Sequence, residues 1–175
     1  MDDANDVTIR LLGGERSEMV ELQRVLESVP TYSHRVTGAP AGPADAQSTY
    51  SILPEGKGYE DKFVFGVYAD TMMVGCADVI RTYPDEMTAH LGVLLIAESH
   101  QHRGLGGTAY RQVECYARAW KRCARMRIGV VQTNAGALTF WRKLGFVESG
   151  EVRPYRYGNV KSETIILIKE FANVD

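Results

Sequence analysis

The sequence predicts an α/β domain built on one mixed, mostly antiparallel sheet flanked by helices. Three observations lead there. The elements read in the order β-α-α-β-β-β-α-β-α-β-β, with three successive strands joined by tight turns in the middle. The last of those strands, Leu91-Gly-Val-Leu-Leu-Ile96, is apolar on both faces near its end, as at a sheet centre. A long amphipathic helix follows it directly, across a glycine-rich turn. With 175 residues the chain is read as one domain over 1–175, long enough for a sizeable core.

Each element has its own signal. Val7–Leu12 is a strand ended by Gly13-Gly14. Glu15–Ser28 is a helix, with Met19, Leu22, Val25, Leu26 and Val29 at helical spacing and Pro30 closing the segment. Tyr32–Arg35 reads as a helical turn, Gly38–Pro43 as a breaker cluster and Ala44–Leu53 as a short helix. Lys62–Tyr68, Met72–Thr82 and Thr88–Ile96 are strands, separated by turns at Ala69-Asp70-Thr71 and Tyr83-Pro84-Asp85. The helix over 103–124 gathers Leu105, Ala109, Val113, Tyr116, Ala117 and Trp120 on one side and basic residues near its end. Arg127–Val131 is a strand. Asn134 is expected to cap a helix over Ala135–Leu144 that ends at Gly145, and Phe146–Arg153 and Lys161–Glu170 close the chain as strands.

Composition excludes several classes. A net charge of −2 argues against a general nucleic-acid binder, and no apolar run approaches the ~20 residues of a membrane span. The acidic start Met1–Asp6 lacks the basic and apolar regions of a secretory signal. Three widely spaced cysteines, Cys76, Cys115 and Cys123, suggest neither a disulfide framework nor a metal site. A reduced, cytoplasmic setting is the expectation.

The chemistry centres on Gln101-His-Arg-Gly-Leu-Gly-Gly-Thr108. A strand, a glycine turn and a helix start form an anion site, because the first N–H groups of a helix lack intrahelical partners and carry partial positive charge. A Walker loop would need a lysine before Thr108, where Gly107 stands. A dinucleotide fingerprint is formally met by Gly104, Gly106 and Ala109. It should follow the first strand of a βαβ unit, with an acid at the end of the next strand, and Val131-Gln132-Thr133 has none.

Gln101, Gly104 and Gly106 fill the motif Q/R-x-x-G-x-G/A, and Asn134-Ala-Gly-Ala-Leu-Thr-Phe-Trp-Arg-Lys-Leu-Gly-Phe146 supplies a second segment downstream. Together they resemble the GNAT superfamily of N-acetyltransferases, with specific motifs over about 62–150 and a generic strand-and-helix opening over 1–60 on the acceptor side. The resemblance implies central strands that splay apart around acetyl-CoA as cosubstrate. It implies backbone contacts to the cosubstrate from Leu94, Leu95 and Ile96. Pyrophosphate contacts would come from Gln101, His102, Arg103, Gly104, Leu105, Gly106, Gly107 and Thr108. Asn134 would contact the cofactor arm, Trp141 would pack under the cofactor or in the core, and Lys143 could meet a phosphate.

The implied reaction is direct attack of an amine on the thioester, which needs a base for the amine and donors for the developing charge. His90, eleven residues before Gln101, is the candidate base, since an imidazole suits proton transfer near neutral pH. Asp78 on the neighbouring strand is a lesser candidate. Where many family members carry an acid tyrosine, this chain has Trp141, whose indole delivers no proton in this range. Tyr155 is the candidate substitute. The expected acceptor is a small-molecule amine, with no nucleic-acid or membrane partner and room for a homodimer to which strand 164–168 contributes. The alternative is a non-catalytic acyl-CoA sensor of the same fold, an option that Trp141 keeps open.

Overall fold

The computed structural model describes residues 7–172; the acidic start lies outside them. The expected sheet forms, with seven strands among the described residues in the order β1-β2-β3-β4-β5-β7-β6. The strands are β1 (Thr8–Leu11), β2 (Lys62–Ala69), β3 (Met72–Ile80), β4 (Thr88–Ile96), β5 (Arg125–Val131), β6 (Val147–Tyr157) and β7 (Val160–Glu170). The helices are α1 (Arg16–Glu27), α2 (Pro30–Thr37), α3 (Asp45–Ser51), α4 (Leu105–Arg118) and α5 (Gly136–Lys143). Of these strand pairs, β4 with β5 is parallel and the others are antiparallel.

Side chains alternate across the pleat and so sort into two cores. Phe65, Ala77, Val79, Leu91 and Ile128 face α4 and α5, where Tyr110, Trp141 and Phe146 pack edge to face. Val64, Cys76 and Leu95 face α1 and α3 through Leu22, Val25 and Ala46. No helix among the described residues is long and apolar enough to cross a membrane.

Several boundaries depart from the sequence reading, each for a physical reason. Pro30 opens α2 rather than closing α1, because the first helical position needs no N–H and suits the fixed φ of proline. Helix α4 stops at Arg118, not 124. Trp120 folds back onto Phe63, with ring centroids 4.8 Å apart, and Ala124 donates to the Met87 carbonyl at 2.8 Å to start β5 beside β4. Asn134 does not cap α5, whose cap position is Ala135. Strand β6 runs on to Tyr157. The apolar run 164–168 lies on β7 between β5 and β6, with Leu167 fully buried, so it offers no free edge for a dimer.

Candidate active site

The site begins where β4 and β5 part. They pair from Thr88 opposite Arg125 up to Leu91 opposite Ile128, and no further. Beyond that point β4 is held only by β3, with Ala97 N–H donating to the Val74 carbonyl at 2.8 Å. Antiparallel alternation then turns the backbone groups of Val93 and Leu95 toward β3, and those of Leu94 and Ile96 toward the open gap. The Gln101 side chain confirms the direction. Its amide nitrogen donates to the Ile96 carbonyl at 2.8 Å and ties the turn to the strand end.

Across the gap lies a cleft of about 860 Å³, lined by β4 from Leu91 to Ile96, by the glycine turn and by β5 from Ile128 to Val131. The α5 region adds Asn134, Phe140 and Trp141, and α2 roofs the cleft with Tyr32, Arg35 and Val36. At its far end the chain enters α4 through Gly104, at φ +79°, a left-handed conformation that suits glycine. Thr108 N–H is the first in α4 to find a helical partner, the Gly104 carbonyl at 3.2 Å, so the amides before it point at the cleft mouth. A β-carbon on Gly106 would make ordinary contact with the Phe140 ring at 3.4 Å, so this wall of the cleft lies close to α5.

This cleft suits a pantetheine pyrophosphate ligand. The Leu94 backbone groups and the Ile96 N–H, which face the gap without a strand partner, match amides, and the α4 amides match a diphosphate. Of the residues expected to hold it, Leu94, Leu95, Ile96, Gln101, His102, Gly104, Leu105, Gly106, Gly107, Asn134 and Trp141 line the cleft. Arg103, Thr108 and Lys143 do not. Arg103 reaches back to the Ser99 carbonyl at 3.2 Å, and Lys143 sits in the last turn of α5. Trp141 is buried within the aromatic core and meets the cleft only at its wall. Arg35 was not legible as a site residue. Arg35 crosses the cleft to donate to the Asn134 side-chain oxygen at 3.3 Å.

The candidate catalytic groups lie elsewhere than expected. His90 sits outside the cleft lining. Its Nδ1 is 3.2 Å from Arg127 Nη1, and since a guanidinium only donates, Nδ1 must accept. The neutral ring therefore carries its proton on Nε2. Burial, and then the Arg127 charge, push its pKa down to about 4. Tyr155 is also outside the cleft, its hydroxyl donating to the Val36 carbonyl at 2.8 Å. Burial raises that phenol, with Tyr157 adding to the effect.

Asp78 does not line the cleft either, but its carboxylate lies against Gly92, which does. Its Oδ2 pairs with Lys62 Nζ at 2.7 Å, while its buried Oδ1 has no hydrogen-bond partner among the described residues. A β-carbon on Gly92 would lie 3.1 Å from Asp78 Oδ2. The carboxylate thus rests over the bare α-carbon of a cleft-lining residue, at the point where β4 leaves β5. Burial raises its pKa, and Lys62 opposes the rise.

The acetyltransferase (GNAT) family model matches residues 31–146. The chain belongs to this family. Its cosubstrate is acetyl-CoA. Solved structures share the fold. An acetyltransferase from Thermus thermophilus is 24% identical, with a TM-score of 0.68 over 94% of this chain and 97% of its own. A GNAT family acetyltransferase from Elizabethkingia anophelis with acetyl-CoA bound is 18% identical, at 0.66 over 97% and 100%. The ribosomal-protein-S18-alanine N-acetyltransferase from Escherichia coli is 19% identical, at 0.66 over 97% and 98%. No curated protein matches the sequence.

Proposed function

We propose that this acetyltransferase moves the acetyl group of acetyl-CoA to the primary amine of a small molecule by direct attack on the thioester. The observation that carries the reading is the Asp78 carboxylate resting over Gly92 where the strands part. Acetyl-CoA supplies the activated acyl group. The open backbone groups of Leu94 and the Ile96 N–H orient its arm, and the amides of the glycine turn hold its diphosphate.

The amine arrives largely protonated and must lose a proton to attack. Asp78, raised by burial, is suited to take it. The nitrogen lone pair then bonds to the carbonyl carbon, the C–S bond breaks with its electron pair leaving on sulfur, and the bonded nitrogen gives up its second proton to solvent. The proton on Asp78 returns to solvent and the thiolate takes one from solvent, so the products are an amide and a free thiol. His90 is assigned no proton transfer, because its only basic nitrogen already accepts from Arg127. It holds that buried guanidinium in place. The α2 roof over the cleft favours a small acceptor over an extended protein tail.

The test is a panel of amines incubated with acetyl-CoA, reading acetylated product against free thiol. One acetyl-amine per thiol supports the proposal. Tight acetyl-CoA binding without any acetylated amine would select the sensor reading instead.

A further inference from the structure

With Trp141 buried in the aromatic core and the Tyr155 hydroxyl spent on Val36, the motif positions supply no free phenol at the thioester. Tyr32 offers one on the cleft wall. Tyr32 stands on the first turn of α2, which Pro30 starts and Glu98 fastens by accepting from Thr31 N–H at 2.8 Å. The Glu98 backbone N–H also donates to the Ser28 carbonyl at 3.1 Å, so the chain entering α2 is pinned twice, just ahead of Tyr32, to Glu98 past the end of β4. The Tyr32 ring packs against the core that holds Cys76 and Leu95, and the residue lines the cleft alongside Leu91, Gly92 and Val93. No side-chain hydrogen bond engages its hydroxyl among the described residues, although it is not sealed from solvent. A half-buried phenol that opens on a ligand cleft and has no protein partner is poised to donate to the ligand.

We propose that Tyr32 is a catalytic residue that donates a hydrogen bond to the thioester as negative charge builds on it. This rests on the acetyl-transfer reading above. Burial pushes the phenol up to about 12, with nearby Tyr155 and then Cys76 adding to it. It therefore stays protonated throughout the working range. A thiol titrates near 8.5, so a phenol this weak stabilises the charge without surrendering its proton. The amine proton goes to Asp78 and the thiolate is protonated by solvent, so the balance of the reaction is unchanged.

The experiment has two arms. In the first, 3-fluorotyrosine replaces Tyr32 and its fluorine resonance is followed as acetyl-CoA, then CoA, is added. This arm needs no acceptor. A shift that differs between the two ligands places the phenol at the acetyl group, whereas identical or absent shifts overturn the proposal. In the second, Tyr32→Phe is expected to lower kcat about 10–100-fold with KM for acetyl-CoA within about twofold, as for loss of one donor made only in the transition state. The nearly isosteric fluorotyrosine enzyme should keep turnover and lose it at lower pH than the native enzyme, following its more acidic phenol. Full turnover in Tyr32→Phe, or an alkaline limb that ignores fluorination, refutes the role. If the native protein acetylates no amine, the reading of the reaction fails, while the fluorine arm still decides where Tyr32 points.

Discussion

Replacing Gly104 by alanine isolates the backbone geometry of the glycine turn. Gly104 holds φ +79° at the start of α4, and a β-carbon there would meet nothing within 4 Å. The substitution therefore adds no clash. It adds only the left-handed penalty of an L-residue, roughly 1–2 kcal/mol. If the turn keeps its shape, that penalty falls on stability, lowering Tm by about 2–8 °C for a chain of this size. If the turn relaxes, it falls on acetyl-CoA binding, raising Kd about 5–30-fold. The two losses should together amount to the same penalty.

Gly56 provides the control. It sits at φ +78° with nothing within 4 Å of a β-carbon, in the loop before β2 and outside the cleft lining. Gly56→Ala should show the Tm loss alone, with acetyl-CoA affinity unchanged. Calorimetric titration and thermal unfolding of both variants make the comparison. Equal effects on affinity from the two substitutions, or none from Gly104→Ala on either quantity, would refute the reasoning.

Asp78→Asn should lower kcat about 10²-fold or more, with little effect on acetyl-CoA binding, as measured by thiol release. Lys62→Met removes the cation 2.7 Å from Asp78 and should move the acidic limb of the pH–rate profile up by about 1–3 units. For His90 the folded pKa of about 4 lies below the ordinary 6.5. Between those values the unfolded chain takes up a proton that the folded ring refuses, so stability is full above pH 6.5 and falls toward pH 4. His90→Asn should narrow the difference between urea midpoints at pH 7 and pH 5. Tyr155→Phe loses one hydrogen bond to Val36, costing about 0.5–1.5 kcal/mol in unfolding experiments, and leaves turnover unchanged.

What the sequence disclosed follows from what is local. The two-residue alternation of β2 and β3, the double-faced apolar run of β4 and the glycine turn are each written in a few adjacent residues. The architecture and the cofactor cleft could therefore be read from them. Helix α4 was overextended because Trp120 and Ala124 are fixed by Phe63 and Met87, far away in the chain. His90 looked like a base because its position along β4 was right. Its neighbour Arg127 lies on another strand, and only the parallel register places that guanidinium on its ring nitrogen. The role proposed for Asp78 depends on a missing β-carbon across the β3–β4 pair, at Gly92. Tyr32 carried no motif; α2 brings it over the cleft through contacts to Glu98.

In the proposed function the parted strands and the glycine turn act together as the acetyl-CoA site. Amide hydrogen exchange with and without acetyl-CoA tests that most directly. Leu94, Ile96 and the turn from Gln101 to Gly107 should slow markedly on binding, while Thr88–Leu91, already paired with β5, should change little. Protection confined to another surface, or none at Leu94 and Ile96 at saturating ligand, would contradict it.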